Sequence, residues 1–341
     1  MCPLAIEPGP FSFDGLKIGH AEDREALTGC TVLIFEKGAR GAVDIRGGAP
    51  GTREAAALDP LNVVSRIHGL LLTGGSAFGL DAAGGVMRYL EERGIGFETP
   101  AAIVPIVPAA VIYDLGIGDA RRRPDFEMGY RAAEAAAVTG GSEGNAGVGC
   151  GATVGKFYGP AGFMKSGIGM ASARLRDGCR VGVLVVVNAF GDVVDPSSGR
   201  ILAGCRAPDG SFADTLALVA AEASRVPHAP ATSTTLAAVL TDLPLTRTAL
   251  GRVARMAHDG LARAIRPVHT QWDGDVVYAV SIAADEAPER DGSAAGAVAV
   301  ECVAQAIVGA VLAAESAGGA PAARDRAEHA SPPAEGRSWP P

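Results

Sequence analysis

The order of its apolar segments is the feature that most constrains how this chain can fold. Six short runs are apolar and rich in Val, Ile, Leu or Ala, as β-strands are. Four longer segments repeat apolar residues with the period of a helix. The two kinds of segment do not alternate strictly, so the pattern favours an α+β fold built of packed layers over a doubly wound sheet. The strand-like runs are residues 30–38, 68–75, 167–175, 180–191, 235–243 and 275–284, and the helical segments are residues 76–94, 126–138, 245–265 and 296–316.

The composition limits the classes of partner. Apolar residues make up 48% of the 341 residues and charged residues 20%, which allows a sizeable buried core. The net charge of −8, without a basic stripe, argues against a nucleic-acid partner. Glu301 and Gln305 interrupt the most membrane-like run, residues 298–314. That run therefore predicts a buried helix, and no membrane partner is expected.

Cysteine spacing gives no sign of a metal site or of a disulfide framework. The six cysteines are scattered, without a CxxC pair and without the Cys/His spacing of zinc sites. The N-terminal residues lack a basic segment followed by an apolar one, so no secretory signal is predicted. We therefore predict a protein of the reducing cytoplasm that needs no cofactor and no metal.

Two segments lack a strong pattern. Residues 206–232 contain a short Ala-rich helical piece that ends in Pro-rich sequence. Residues 317–341 have no apolar period and many Gly and Pro residues, so we predict a disordered tail there. The remaining residues, 1–316, are predicted to form a single domain.

Two polar residues stand out within apolar or glycine-rich sequence. Lys156 lies in a run with glycines at 144, 147, 149, 151, 155 and 159. It is either a surface lysine or a cation positioned near a developing negative charge. Asn188 follows the strongly apolar residues 181–187. It either turns the chain or points its amide at an oxyanion.

Asp273 and Asp275 flank Gly274 directly before a strand-like run. Asp-Gly is a frequent hairpin turn, which is the simpler interpretation. Residues two apart that enter a strand can instead project to one face, where paired carboxylates orient an amine or a hydroxyl. The residues alone leave both interpretations open.

Three consecutive hydroxyl residues, 233–235, lie between a Pro-rich loop and a strand-like run. They are either turn residues that begin the strand or part of a self-cleaving site. In the second case Thr234 Oγ attacks the carbonyl of Ser233, and hydrolysis of the resulting ester frees the α-amine of Thr234. An α-amine has a reference pKa of about 7.7–8.0 and can serve as the base for its own hydroxyl.

Seven motifs together resemble one family over residues 11–314. The family is the P1 (DmpA-like, S58) family of self-processing aminopeptidases and amidases, which includes β-aminopeptidases and nylon-oligomer hydrolases. The resemblance implies a four-layer αββα sandwich of the Ntn-hydrolase type. It also implies that the chain is cut into an α chain, residues 1–233, and a β chain whose core is residues 234–316. The motifs are DGLKIGHAEDREALTGCTVLIF, DIRGGAPGTREAAALDPLNVV, LTGGSAFGLDAAGGVMRYLEERGIGF, VPIVPAAVIYDL, GCGATVGK, STTLAAVLTDLPLT and MAHDGLARAIRPVHTQWDGD.

The same resemblance assigns roles to six residues. Thr234 matches the nucleophile that heads the β chain, and Asn188 matches the oxyanion-hole asparagine. Asp273 and Asp275 match the acidic pair that positions the nucleophile and its amine. Lys156 matches the active-site lysine, and Tyr113 matches the tyrosine that lines the cleft.

The resemblance implies a hydrolase that acts on amide, peptide or ester bonds of small peptides or amides in the manner of an aminopeptidase. A homo-oligomer, such as a tetramer of αβ units, is expected. Ser233 stands where threonine-type members commonly carry Asn, and Cys150 stands where many carry Thr. Three alternatives remain open: an endo-amidase acting on ω-amino-acid oligomers, an acyltransferase with a threonine nucleophile, and a processing-defective binding protein.

Overall fold

A computed structural model describes residues 5–221, 232–284 and 288–329. The strands within these residues are numbered in chain order. They are β1 Ile6–Pro8, β2 Leu16–Asp23, β3 Thr28–Ile45, β4 Thr52–Arg53, β5 Ile67–Thr73, β6 Phe97–Glu98, β7 Ile103–Val104, β8 Ala109–Val111, β9 Thr153–Val154, β10 Met164–Lys165, β11 Ile168–Arg174, β12 Arg180–Asn188, β13 Asp192–Val194, β14 Ile201–Ala203, β15 Thr234–Thr241, β16 Ile265–Arg266 and β17 Val276–Ser281.

The helices occupy the segments where an apolar period of 3.6 residues predicts them. Side chains cap three of them: Asp125 accepts the N–H of Met128, Asp214 that of Ala217, and Thr246 that of Ala249. The α-helices are α1 Ala82–Glu91, α2 Phe126–Glu134, α3 Thr215–Ala221, α4 Arg247–Ala264 and α5 Ser293–Ala313. Short 3₁₀ helices span Ala55–Leu58, Ser76–Asp81, Gly147–Gly151, Gly159–Ala161 and Ala323–His329.

The long strand β3 joins two sheets. Its last residues pair with β17 in a sheet ordered β1-β11-β12-β15-β17-β3. Its first residues pair with β2 on one side and with β5 on the other, and β8 and β4 continue that second sheet. The register shifts between Ile34 and Ala39, where β3 passes from one sheet into the other.

A pair of helices covers the outer face of each sheet. Helices α4 and α5 pack together against the first sheet, and α1 and α2 pack together against the second. The order helix, sheet, sheet, helix confirms the predicted αββα sandwich. Because the central strands are buried on both faces, they read in the sequence as continuous apolar runs.

Alternating side chains of the central strands fill the spaces between these layers. In β12, Val183 and Val185 face the core beneath α4 and α5, whereas Leu184 and Val186 face the core between the sheets. The adjacent strand β15 divides its side chains in the same way. A third core lies beneath α1 and α2.

Helix α5 is long and apolar enough to cross a membrane by length and composition alone. In the fold it lies against α4, β11 and β12, and 61% of its most apolar window is buried. The side chains of Ala299, Val303 and Ile307 are fully covered. Helix α5 is thus the core helix predicted for this segment.

The chain after α5 differs from the predicted tail. Residues 317–326 pack against the domain. Arg324 donates to the terminal carbonyl oxygens of α5, at 2.7 Å from that of Ala313 and 2.6 Å from that of Ala314. Ala320 and Ala322 are also buried. The packed domain thus extends past residue 316, the boundary expected from the sequence, and residues 330–341 lie outside the described residues.

Candidate active site

The ends of β12 and β15 bring the first two predicted site residues together. In the antiparallel ladder between these strands, Asn188 is the direct partner of Thr234. Both side chains are buried. Since strand register decides which residues are opposite each other, the pairing follows from the apolar segments that precede Asn188 and follow Thr234.

The Thr234 hydroxyl lies beside the peptide bond that precedes it. Thr234 Oγ is 2.5 Å from the carbonyl oxygen of Ser233, and the same oxygen accepts the backbone N–H of Gly274 at 2.8 Å. The side chains of Ser233 and Thr234 are only 2% and 4% exposed. The carbonyl of Ser233 therefore has both a hydroxyl neighbour and an amide donor within a dry environment.

Asn188 and Lys156 form one buried hydrogen-bonded unit. Lys156 Nζ donates to Asn188 Oδ1 at 2.7 Å and to the Asn188 carbonyl at 3.0 Å. A third bond, of 2.8 Å, reaches the carbonyl oxygen of Thr232, two residues before Thr234. The Asn188 amide Nδ2 donates to the backbone carbonyl of Tyr113 at 3.1 Å. Asn188 therefore ends a strand with its side chain held inside the site rather than turning the chain at the surface.

Burial sets the protonation of Lys156. Removal from water disfavours the ammonium and lowers the pKa of Lys156 to about 7, against the opposing charges of Asp273 and Asp114. Lys156 is thus not the surface lysine of the simpler interpretation. An amine with this pKa changes charge near neutral pH while it stays within hydrogen-bonding distance of Asn188.

Asp273 holds two loops beside the predicted bond. Its Oδ1 accepts the N–H of Phe190 at 3.2 Å, and its Oδ2 accepts both the N–H and the hydroxyl of Thr270. Burial, followed by the nearby charge of Asp275, raises the pKa of Asp273 to about 6. Residues 273–275 enter β17, which runs parallel to β15, so they are not a hairpin turn.

Asp275 holds the backbone on the C-terminal side of Thr234. Its Oδ1 accepts the N–H of Thr235 at 2.6 Å. Its Oδ2 accepts the backbone N–H of His269 at 3.1 Å and contacts His269 Nδ1 at 2.7 Å. Within the described residues neither Asp273 nor Asp275 hydrogen-bonds to Thr234 Oγ, so both carboxylates act here on the surrounding backbone.

Two glycines permit this close packing. A Cβ atom at Gly274 would lie 2.8 Å from Thr234 Oγ and 2.6 Å from the carbonyl oxygen of Ala49. One at Gly47 would lie 2.3 Å from the N atom of Asp275. Larger residues at either position would displace the loops that carry the site.

Tyr113 contacts the site through its backbone carbonyl, which accepts the Asn188 amide, and the cleft-lining role that the resemblance implies for it stays a prediction. The neighbouring Asp114 is buried and accepts the Thr28 hydroxyl at 2.6 Å and the Gly75 N–H at 2.7 Å. Burial raises the pKa of the Asp114 carboxyl.

Two cavities, of about 330 and 560 Å³, are lined by other residues and do not include Thr234.

Sequence reasoning missed several groups that contact the site. His269 and Thr270 hold the two carboxylates, and Gly274 supplies the amide donor to Ser233. All three lie within the MAHDGLARAIRPVHTQWDGD motif, but the resemblance assigned them no role. The signal that could have found them is proximity in sequence, because all three lie within six residues of Asp273 or Asp275.

Comparison with known proteins places this geometry in a family. Residues 13–324 match the model of Peptidase family S58. A Mycobacterium tuberculosis protein described as an uncharacterized aminopeptidase is 43% identical over 340 residues, covering 91% of this chain and 95% of that protein. A 6-aminohexanoate-oligomer endohydrolase of Kocuria sp. is 32% identical over 305 residues, covering 86% of this chain and 80% of the endohydrolase.

A solved structure agrees with the fold. The L-aminopeptidase D-Ala-esterase/amidase of Ochrobactrum anthropi, described as a variant of the Ntn-hydrolase fold, superposes with a TM-score of 0.68 at 21% identity. The match covers 92% of this chain and 89% of that chain. The αββα sandwich is therefore of the Ntn-hydrolase type. With the family model matched from residue 13 to residue 324, this chain belongs to peptidase family S58 and is a hydrolase of peptide or amide bonds.

Proposed function

We propose that the chain cuts itself between Ser233 and Thr234 and then hydrolyses small peptides or amides with Thr234 as an N-terminal nucleophile. The observation that carries the proposal is the position of Thr234 Oγ, 2.5 Å from the Ser233 carbonyl oxygen, with the Gly274 N–H on that oxygen. A hydroxyl and an oxyanion donor thus converge on one buried carbonyl.

Self-cleavage proceeds through an ester. Thr234 Oγ adds to the carbonyl carbon of Ser233, and the Gly274 N–H stabilises the oxyanion. Oγ gives up its proton as it attacks, collapse breaks the C–N bond, and the acyl group stays on Oγ while the nitrogen of Thr234 takes that proton. Water then hydrolyses the ester, which leaves a carboxylate on Ser233 and a free α-amine on Thr234. The end of the α chain is then free to leave, which uncovers Thr234.

Substrate hydrolysis repeats the chemistry with the new terminus. The α-amine, with a reference pKa of about 7.7–8.0, accepts the hydroxyl proton while Oγ attacks the substrate carbonyl. Asn188 stabilises the oxyanion once its Nδ2 exchanges the Tyr113 carbonyl for the substrate oxygen. The proton passes to the leaving amine, and water releases the acyl group. Lys156 holds Asn188 in place, and Asp273 and Asp275 hold the backbone around Thr234.

A second substrate class is supported by one of the relatives. The relative from Kocuria sp. is a 6-aminohexanoate-oligomer endohydrolase, whereas the M. tuberculosis relative is described as an aminopeptidase. An aminoacyl anilide measures the release of an N-terminal residue, and a linear 6-aminohexanoate oligomer measures internal cleavage. The substrate with the higher kcat/KM decides between the two classes.

The self-cleavage step is tested by the intact mass of the purified protein. We expect two fragments whose masses correspond to residues 1–233 and 234–341, and a single uncut species for Thr234→Ala. Ser233→Asn, which restores the residue common in threonine-type relatives, serves as a second variant and should be cut at least as fast. A wild-type chain that stays at full-length mass after prolonged incubation, without hydrolase activity, would refute the proposal.

A further inference from the structure

The loop before β17 carries a histidine in a left-handed backbone conformation. His269 has a φ of 56°, a region that side chains other than Asn, Asp and His seldom occupy. Such a conformation costs roughly 1 kcal/mol and persists where its surroundings require it. The backbone N–H and the ring Nδ1 of His269 both face Asp275 Oδ2, at 3.1 and 2.7 Å. The unusual φ therefore lets one residue direct two donors at one carboxylate oxygen.

The chemistry of the partner determines the tautomer of this ring. An ionised carboxylate only accepts hydrogen bonds, so the proton of the contact lies on His269 Nδ1. The other carboxylate of the pair, Asp273, receives no imidazole and is instead held by the backbone N–H and the hydroxyl of Thr270. The ring thus distinguishes two carboxylates that the sequence presents as equivalent.

The imidazole of His258 packs against the partly exposed ring of His269. The rings of His258 and His269 meet edge to face, with centroids 4.8 Å apart. His258 is fully buried, and its Nε2 lies 3.1 Å from the Asp44 carbonyl. Burial lowers the pKa of His258 to about 4, so this neighbour is neutral near pH 7. The packing holds the His269 ring against Asp275 without adding a charge.

We propose that His269 is a positioning residue for the hydrolase: its Nδ1–H holds the Asp275 carboxylate so that Asp275 Oδ1 keeps the backbone N–H of Thr235, next to the nucleophile. This inference rests on the proposed function of Thr234. The chain of contacts runs from His269 to Asp275 at 2.7 Å and from Asp275 to Thr235 at 2.6 Å. Loss of the ring donor would leave Asp275 Oδ2 with only the longer hydrogen bond from the backbone N–H of residue 269, and would loosen the backbone that carries Thr234.

Two substitutions separate this role from a purely conformational one. His269→Asn and His269→Gly both tolerate a positive φ, but only Asn places an N–H donor near the position of Nδ1. We expect His269→Gly to slow self-cleavage and to lower kcat about 10-fold to 100-fold, with KM within about 3-fold, as for the loss of one hydrogen bond to a charged group. His269→Asn should remain within about 5-fold of wild type in both rates.

The experiment measures the rate of self-cleavage by intact mass, and kcat and KM on an aminoacyl anilide after the cut. His68→Asn, at a buried histidine outside the site, serves as the control for loss of an imidazole. Equal rates for the Gly variant and wild type, or equal losses in the Gly and Asn variants, would overturn the inference. If the Gly variant fails to fold, His269→Asp replaces it, because Asp matches Asn in shape but sets a carboxylate, in place of the donor, beside Asp275; equal activity of the Asp and Asn variants overturns the inference. A wild-type chain that neither cuts nor hydrolyses refutes the proposed function itself.

Discussion

Two buried lysines show how similar electrostatics can serve different tasks. Lys156 and Lys165 are both almost completely covered, and burial lowers the pKa of each to about 7. The charge of Asp114 opposes the lowering in both cases. By protonation alone the two lysines are indistinguishable.

Their hydrogen-bond partners separate them. Among the described residues, Lys165 Nζ donates only to backbone carbonyls, those of Gly149, Ala152 and Ser166. Lys156 instead contacts the Asn188 amide oxygen and the carbonyl of Thr232. A shifted pKa is therefore a weak guide to function, and the decisive observation is whether the amine contacts a group that takes part in the chemistry.

The largest expected effect is the loss of kcat when Lys156 is replaced. Lys156→Met removes the shorter of the two hydrogen bonds that orient Asn188 Oδ1, the other coming from the N–H of Thr153, so we expect kcat on an aminoacyl anilide to fall about 100-fold to 1000-fold, as for the loss of one oxyanion-hole group. Self-cleavage should slow as well. Lys17→Met, at a half-exposed lysine paired with Glu36, is the matched control. If Lys156→Met retained wild-type kcat, the two lysines would have the same, structural task.

The second-largest expected effect is a loss of stability when Lys165 is replaced. Lys165→Met leaves three buried carbonyl oxygens without their ammonium donor, and we expect the free energy of unfolding to fall by about 2–4 kcal/mol. Urea denaturation of the wild type, the variant and Lys17→Met measures this change. The kcat of folded Lys165→Met should stay within about 3-fold of wild type, since no partner of Lys165 belongs to the reacting groups. A loss of kcat without a loss of stability would contradict the distinction.

Both lysines predict the same pH dependence of stability. The folded pKa of about 7 lies below the reference value of 10.5, so between these values the unfolded chain binds more protons than the folded one. Stability then rises with pH in that window, by at most about 1.4 kcal/mol per pH unit for each lysine. We expect the difference in unfolding free energy between wild type and Lys165→Met to grow from pH 7 to pH 9. A difference that stays constant would show that Lys165 is not deprotonated in the folded state.

The fold could be read from the sequence where apolar periodicity was strong. All four predicted helical segments and six strand-like runs coincide with elements of the structure. The length of β3 could not be read, because Glu36, Lys37 and Gly38 interrupt its apolar pattern where it passes between the sheets. The packing of the chain after α5 also escaped prediction, since it depends on two hydrogen bonds of Arg324 with the end of the helix and on the burial of Ala320 and Ala322.

The candidate site depends on information that no local pattern contains. Motif resemblance selected Thr234, Asn188 and Lys156, but their contacts are set by the register of β12 against β15. The donors on Asp275 depend on a left-handed φ at His269, which the residue type permits but does not specify. Lys165 gave no sequence signal at all, because its partners are carbonyls that every residue carries.

The smallest expected effect comes from Cys150, which departs from the common family pattern and tests whether residues near Lys165 take part in the reaction. Burial raises the pKa of the Cys150 thiol to about 11, so little thiolate exists at neutral pH. Its contact is the Asp23 carbonyl, at 3.8 Å, and it lines the 560 Å³ cavity rather than the Thr234 site. We expect Cys150→Thr to change kcat by less than about 2-fold and the unfolding free energy by less than about 1 kcal/mol. Iodoacetamide should label Cys150 in the unfolded chain but only slowly in the folded one. Cys150 follows Gly149, whose carbonyl accepts a hydrogen bond from Lys165. Rapid labelling of Cys150 in the folded enzyme with loss of activity would connect this neighbourhood of Lys165 to the reaction, and the distinction between the two lysines would then fail.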